Sequence, residues 1–479
     1  MELRPYQIEA IQELRLGFAK HQRQILCLPT GAGKTVVFSD MIRAAAEKGT
    51  QTLVVTDRIE LCTQTLKAIL HHNIPTQIIR KETKKFSPDA QITLAMVETI
   101  ARRIKKWVSF SHYSPKLIII DEAHKAAFNK IMDAFPDAKT IGATATPKAK
   151  FLHKYYTNIV DNIDIPDLVA QGFLCRCRGF QMEDDFSEVE VKHGEYVESQ
   201  LYAHFNKREL YDGVVEKYKE KSMGKKCLVF NVNIEHSENM SKAFNEAGIH
   251  SECVTSKTPT EERKRILAAF EAGHFPVLNN CGILTTGYDC PSIETIVANR
   301  ATKSITLWLQ ICGRGSRIYP GKDFFTVLDF GKNHDEHGMW SEAREWDLDP
   351  PKKKKKGVAP IKTCPKCSAM LPARAMECEF CGHKFTAEEV ELKKGVLVEV
   401  TPTEKINEFK GRLISELSIP ELVALGKAGL EKKSRIWRVV RSKGMQAVRD
   451  YGWQMGYREG WVHNQMKELD DCKFRDKVL

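Results

Sequence analysis

The sequence predicts two tandem α/β domains with parallel sheets, then a small cysteine-bearing module and a basic, mainly helical C-terminal segment. Three observations carry this expectation. Val/Ile/Leu runs alternate with helical stretches before residue 150, and the same pattern restarts after about residue 225. Two Cys-x2-Cys pairs then follow a run of five lysines. Apolar runs without alternation suit strands buried on both faces, and strand–helix alternation implies βαβ units.

In chain order, QILCLP (24–29), TLVVT (52–56) and KLIIID (116–121) read as strands of the first domain, with a helix from about Lys34. CLVFNV (227–232), TIVANR (295–300) and FFTVLDF (324–330) read as strands of the second, with a helix from about Glu235. TPTEERKRILAAFEAG (258–273) reads as an amphipathic helix capped by Thr260 and ended by Gly273. The first domain is assigned to residues 1–165 and the second to 170–345. Pro350, Pro351 and lysines 352–356 mark a linker, 346–362. The cysteine module is placed at 363–386 and the helical basic segment at 400–479. In FLCRCRGF, strand period puts Cys175 and Cys177 on one face, where they read as buried thiols.

A chain of 479 residues is too long for one core. No run approaches the ~18 apolar residues of a membrane helix, and MELRPYQIEA lacks a signal pattern. The expectation is a soluble, cytoplasmic protein with no membrane partner. Fourteen cysteines in such a chain favour metal binding and buried thiols over a disulfide scaffold. The net charge is +11, and from Pro351 onward 27 Lys and Arg face 17 Asp and Glu. A basic tail behind a nearly neutral core suggests a polyanion partner; a solvated tail is the plainer alternative.

PTGAGKT follows a strand and opens a helix. Backbone N–H groups across Pro29, Thr30, Gly31, Ala32 and Gly33 can cradle a triphosphate at the helix N-terminus. Lys34 would reach the β- and γ-phosphates and Thr35 would ligate Mg2+. The strict pattern has Gly at position 28, where this chain has Leu. IIIDEAH (118–124) ends a strand in acids: Asp121 is placed to hold magnesium and Glu122 to act as general base on water. In GATATP (142–147), Thr144 and Thr146 can sense the phosphate site; Thr56 and Arg58 of TDR can touch a nucleic-acid backbone. Both short motifs would be ordinary turns if they stood alone. In QICGRGSR (310–317), Arg314 and Arg317 are three apart, hence on one helix face, and can act as arginine fingers if the domains close.

Cys364, Cys367, Cys378 and Cys381 form two knuckles ten residues apart, a set that can give four thiolates to one structural Zn2+. A redox pair or an iron–sulfur centre is the alternative. In KKSRIWRVVRSKGMQAVR (432–449), Arg435, Arg438 and Arg441 recur every third residue beside Trp437. They are either a nucleic-acid stripe or a solvated helix face with Trp437 in the core.

The ordered set LRPYQ, PTGAGKT, DEAH, TAT, TTGYD and QICGRGSR, over roughly residues 3–330, resembles the superfamily-two helicases of the DEAD/DEAH-box kind. The resemblance implies two RecA-like domains with ATP between them. It implies that Gln7 reads adenine with Arg4 and Tyr6 nearby, and that Gln310 faces the γ-phosphate with the two arginines. It further implies that Gly287 and Asp289 couple nucleotide to nucleic acid, and that Thr285 and Thr286 lie near the nucleic-acid backbone. A helicase core followed by a zinc ribbon and a basic segment is similar to the RadD-like bacterial and phage DNA-repair helicases. That implies an ATP-dependent helicase or translocase acting on single-stranded or branched DNA in repair, recombination or replication, with a single-strand-binding protein as partner. A restriction-type double-strand translocase, an RNA helicase and a nucleotide-gated clamp with negligible turnover stay open beside it.

Overall fold

The computed structural model describes residues 3–56, 74–111, 113–125, 128–149, 151–182, 186, 188–348, 361–372, 375–385, 417–428, 433–457 and 462. Its first sheet is built from β1 (Arg23–Cys27), β2 (Thr52–Thr56), β3 (Thr76–Ile79), β4 (Ile92–Met96), β5 (Leu117–Asp121), β6 (Lys139–Thr144) and β7 (Asn158–Val160). The order is β3-β4-β2-β5-β6-β1-β7, and every pairing is parallel. Parallel pairing needs crossover helices on both faces, so the central strands are buried, TLVVT and LIIID at every residue, while the edge strands β3 and β7 are mostly half-buried.

A second sheet repeats the plan with β8 (Arg176–Gln181), β11 (Cys227–Asn231), β12 (Ser251–Val254), β13 (Val277–Asn280), β14 (Thr295–Asn299) and β15 (Phe324–Asp329). Between β8 and β11 lies a small hairpin, β9 (Val191–Lys192) and β10 (Glu195–Tyr196). The second sheet is ordered β12-β13-β11-β14-β15-β8 and then continues into β17 (Met370–Pro372) and β16 (Ile361–Thr363). Two parallel RecA-like α/β units are therefore present, as expected.

The period-two face of each strand decides its core. Ile25 and Cys27 of β1 pack outward with Leu53, Val55, Ile118 and Ile120. Leu26 and Leu28 instead join a cluster that continues through Leu174 and Cys177 to Trp308 and Phe325. The two sheets thus share one buried apolar body across the connecting segment. Both thiols of FLCRCRGF are buried, as expected.

Three expectations need correction. The helix Thr260–Glu271 has Pro259, not Thr260, at its N-cap, because the Thr258 hydroxyl closes the preceding turn on the Thr255 N–H, 2.9 Å. Gly273 does end it, with φ +82°. The cysteine module, placed at 363–386 as a unit after the second domain, joins that domain's sheet. Its hairpin pairs antiparallel with β8 through Met370 and Gly179, and Phe380 packs edge-on against Phe324, centroids 6.0 Å apart. Arg314 and Arg317 do not share a helix face. The helix Ile305–Gly313 ends before them, with Arg314 as its cap and Arg317 beyond the turn.

The C-terminal segment folds around helices Ile419–Ala428, Lys433–Ser442 and Met445–Gln454. Leu422, Ile436, Val440, Val448 and Tyr451 form its core. Trp437 belongs there too, edge-on to Tyr451 at 4.8 Å, which assigns it to packing rather than base stacking. Arg441 is half-buried, and the side chains of Arg435 and Arg438 lie outside the described residues. Among the described residues no helix is long and apolar enough to cross a membrane.

Candidate nucleotide site and metal centre

β1 delivers the chain to the centre of the first sheet, and the phosphate-type loop begins where it ends. Gly33 takes φ +79°, a left-handed value that disfavours a side chain, and caps the helix Lys34–Glu47. A Cβ there would lie 2.6 Å from Gln7 Nε2, so glycine also lets the N-terminal motif approach. Tyr6 Oη and Gln7 Nε2 both donate to the Ala32 carbonyl, at 2.8 and 3.0 Å. The Arg4 N–H closes on Gln7 Oε1 at 2.9 Å. LRPYQ is thereby fixed to the phosphate loop itself.

Lys34 donates to the carbonyls of Leu28 (3.0 Å) and Pro29 (3.5 Å). Burial lowers its pKa, and the carboxylates of Glu122 and Asp121 partly offset that. An ammonium short of solvent and flanked by two acids is a ready partner for anionic oxygens. Asp121 ends β5 in a buried position. Glu122 follows with φ +52°, unusual for a residue with a side chain and common at functional sites. Asp121 and Thr35 offer the hard oxygens that magnesium prefers.

From Glu122 a line of polar contacts leads out of the first sheet. Its Oε2 lies 3.4 Å from His124 Nδ1, which meets Thr144 Oγ1 at 2.9 Å. Thr144 Oγ1 accepts the Thr146 N–H, 3.0 Å. Thr146 Oγ1 donates to Thr306 Oγ1, 2.9 Å away on the helix that carries Gln310. Gln310 is buried on that helix. A Cβ on Gly313 would meet Thr30 at 2.8 Å, so only glycine lets the helix end rest on the phosphate loop.

The arginines part company here. Arg317 Nη1 reaches across to the Gly31 carbonyl, 3.3 Å, while its Nε faces Asp289 at 3.3 Å. Arg314 instead donates to the Tyr288 carbonyl in the loop of TTGYD. The structure therefore brings together Arg4, Gln7, Pro29 to Thr35, Asp121, Glu122 and Arg317, with Asp289 bound to Arg317. Gly287 lies in the same loop, at φ +80°.

The nucleic-acid candidates are less assembled. Thr56 is buried at the end of β2, and Arg58 lies outside the described residues. Thr285 is buried with its hydroxyl donated to the Gly282 carbonyl, 2.7 Å, and Thr286 is half-buried beside it. Sequence reasoning missed Thr306 and the connecting residues Phe173 to Cys175. A threonine meeting another 160 positions away leaves no local pattern.

The four module cysteines form one cluster, with all four sulfurs within 4.8 Å of one another. Cys364 and Cys381 Sγ are 3.6 Å apart, Cys367 and Cys378 Sγ 3.7 Å. A tetrahedron with Zn–S near ~2.3 Å has edges of about 3.8 Å, so the donors fit zinc. Each knuckle turns through a left-handed residue after its second cysteine, Ser368 (φ +60°) and Gly382 (φ +69°). Their N–H groups donate to Cys364 and Cys378 carbonyls, both at 2.8 Å.

Residues 1–149 match the family described as the type III restriction enzyme res subunit, and residues 206–319 match the helicase conserved C-terminal domain. A 51.5 kDa protein of a Lactococcus phage is 29% identical over 399 residues, which is 81% of this chain and 84% of the relative. A Saccharomyces cerevisiae protein bearing the name ATP-dependent helicase IRC3 is 32% identical over 357 residues, 68% of this chain and 51% of the relative. The chain thus spans about half of that relative's length. Among solved structures, a fragment assigned to the HsdR subunit of a type I restriction enzyme from Vibrio vulnificus superposes with a TM-score of 0.56 at 22% identity. The match covers 70% of this chain and 66% of the fragment. At that identity the likeness speaks for the fold.

Proposed function

Because the chain belongs to the superfamily-2 helicases, motors that hydrolyse ATP, we propose that it is a DNA helicase or translocase working through the cleft between its two sheets. The observation that carries this is the reach of Arg317 from the second sheet to Gly31 of the first, 3.3 Å. A cleft bridged in this way is complete only when the two sheets meet. Turnover and relative movement of the sheets are then one event.

Within this reading Lys34 and the backbone from Pro29 to Gly33 hold the triphosphate, and Gln7 with Arg4 holds the base. Glu122 takes a proton from the attacking water. Arg317 and Gln310 meet the charge that develops on the transferred phosphoryl, and Arg314 orders the Tyr288–Asp289 loop beside them. Thr35 and Asp121 would hold magnesium, which would supply charge neutralisation on the phosphate oxygens. The contacts from His124 through Thr144 and Thr146 to Thr306 carry the state of the site to the second sheet. Gly287 and Asp289 link it to Thr285 and Thr286, with Thr56 and Arg58 on the facing domain, along the nucleic-acid path. Residues 1–165 and 170–345 are the two motor domains, 346–362 the linker, 363–386 a zinc ribbon and 400–479 the basic segment. Arg435, Arg438 and Arg441 give that segment its phosphate contacts. The biological setting in this reading is RadD-like: repair, recombination or replication in a bacterial or phage-infected cytoplasm, with a single-strand-binding protein as partner.

ATPase rates across a panel of single-stranded, duplex, forked and four-way-junction DNA, with RNA as control, test the reading. Stimulation by single-stranded or branched DNA is expected; equal stimulation by RNA, or none by DNA, overturns the DNA assignment. The restriction-enzyme family match favours a second reading, a double-strand translocase. Displacement of a triplex strand from duplex DNA without unwinding would select it.

A further inference from the structure

The segment connecting the two sheets touches three parts of the nucleotide cleft with three consecutive residues. The Phe173 ring lies under the Arg4 guanidinium, 4.3 Å from centroid to carbon, with the Tyr6 ring 5.7 Å away. Leu174 is buried against the phosphate loop, its Cδ2 within 2.7 Å of where a Cβ on Gly31 would stand. Cys175 grips the loop that carries Arg317: its N–H donates to the Ser316 carbonyl (2.8 Å) and its thiol to the Arg317 carbonyl (3.1 Å). Lys322 Nζ closes on the same Arg317 carbonyl at 2.9 Å.

We propose that Phe173, Leu174 and Cys175 form a positioning strap in which Phe173 holds Arg4 for adenine-nucleotide selection and Cys175 holds Arg317 for turnover. The proposal rests on the reading that ATP occupies this cleft. The physical reasons are specific to each end. A guanidinium stacked on an aromatic face keeps its planar fork oriented, and Arg4 also donates to Tyr6 Oη at 3.3 Å, so the ring fixes two groups at once. At the other end, two donors on the Arg317 carbonyl fix the backbone from which its guanidinium reaches Gly31. Residues 173–175 are consecutive, so nothing but the chain itself separates these ends. Base recognition by the first sheet and arginine placement by the second are therefore mechanically joined through the segment that connects the two sheets.

The test compares steady-state kinetics with ATP and GTP in full-length variants. Phe173→Leu keeps apolar bulk and removes the π face. It should raise KM for ATP by about fivefold to tenfold and narrow the ATP-over-GTP preference, with a smaller change in kcat. Phe173→Tyr should restore both. Cys175→Ala should do the reverse, lowering kcat by about tenfold with little change in KM, because one of the two donors on the Arg317 carbonyl is lost. Thermal melts without nucleotide identify any variant that fails to fold; for such a variant, Phe173→Met, which also lacks a π face, or Cys175→Val, which also lacks the donor, repeats the measurement. Wild-type KM and wild-type selectivity in a folded Phe173→Leu variant overturn the proposal. Lys34→Ala runs beside it: if ATP binding survives that change as well, it is the placement of ATP in the cleft that has failed, not the strap.

Discussion

The two sheets of this molecule have the same strand order and different chemistry. Read from one edge, β3-β4-β2-β5-β6-β1 in the first corresponds to β12-β13-β11-β14-β15-β8 in the second. Where β1 empties directly into a glycine-bearing loop and a helix, β8 is followed by the small hairpin β9–β10. Where β5 ends in the buried pair Asp121–Glu122, β14 ends in Asn299. The first sheet concentrates charge at its strand ends. The second keeps one buried acid at a strand end, Asp329 of β15 beside His334, and sets a neutral ladder across four other strands: Ser251, Asn279, Asn231 and Asn299 hydrogen-bond in turn across β12, β13, β11 and β14, at 2.8 to 3.1 Å. Buried amides that satisfy one another stiffen a sheet without calling for a counter-ion. One copy of the scaffold holds the charged site, and the other serves as a stiff platform that reaches over it with Arg317.

The sharpest way to break this comparison is to remove the reach. Arg317→Ala should slow ATP hydrolysis by about 10³-fold or more, the range for a lost arginine finger. Arg314→Ala should cost much less, since its guanidinium is bound to the Tyr288 carbonyl and not to the phosphate loop. Single-turnover hydrolysis separates them; equal losses would mean that both arginines serve the phosphate in the closed state. Next, Glu122→Gln should keep nucleotide binding and lose turnover by about 10² to 10⁴-fold. Fluorescent-nucleotide binding beside the ATPase assay checks it, and a wild-type rate would remove Glu122 as the base.

Much of the first sheet's chemistry was legible in the sequence, and much of the second sheet's construction was not. PTGAGKT and DEAH are local: each is a strand end, a turn and a few side chains within seven residues. TLVVT, KLIIID and FFTVLDF announced strands because both faces are buried and the runs are unbroken. VLNN (277–280) gave no such signal, because asparagine is depleted from strands and Asn279 and Asn280 look like a turn. Their pairing is supplied by partners 28 to 51 residues away. The arginine spacing was readable, but the end of the helix at Gly313 was not, so helical periodicity put Arg314 and Arg317 on one face in error. Trp437 resisted for another reason: a tryptophan among arginines is equally at home in a core or on a base.

The neutral ladder makes its own prediction about acid. Burial, with the Arg300 charge nearby, holds His236 down to about 3. Its Nδ1 accepts the Val232 N–H, 3.2 Å, and its Nε2 meets Asn299, 3.1 Å, at the end of the ladder. The folded value lies below the unfolded one near 6.5. As pH falls through 6.5 the unfolded chain takes the proton first, and stability is lost progressively down to about pH 3. Urea unfolding at pH 7 and pH 4.5 should show a steeper loss in the wild type than in His236→Gln. Asn299→Leu should cost about 1 to 3 kcal/mol at pH 7, because it removes the Nδ2 donor to the buried Asn231 Oδ1. Parallel pH profiles for wild type and His236→Gln would mean that the ladder does not depend on a neutral imidazole.

The smallest expected effect concerns how each sheet is closed beyond its site strand. Beyond β1 lies β7, which joins through three registered pairs. Beyond β8 lies β17, which joins through one, Met370 to Gly179, and comes from the cysteine module. Arg176 and Glu379 (3.9 Å) and the Phe324–Phe380 contact add little more. An exposed strand edge is a liability, so the module has a use to the motor besides its own fold. If the four thiolates hold zinc, metal release should unfold the module, since such a small core cannot stand alone. Purified protein should carry one zinc per chain, and Cys378→Ser should lose it. The motor should feel this only weakly: losing one strand pair and an aromatic contact is worth about 1 kcal/mol, or roughly 1–2 °C in a chain of this size. ATP hydrolysis should persist, because Arg317 and the phosphate loop lie away from that edge strand's pairing. Calorimetry with and without a chelator, beside elemental analysis, reads both quantities at once. A motor transition unmoved by metal removal would make the module a passenger on the sheet. A collapse of the motor would mean that the edge of β8 bears far more than its single pair suggests.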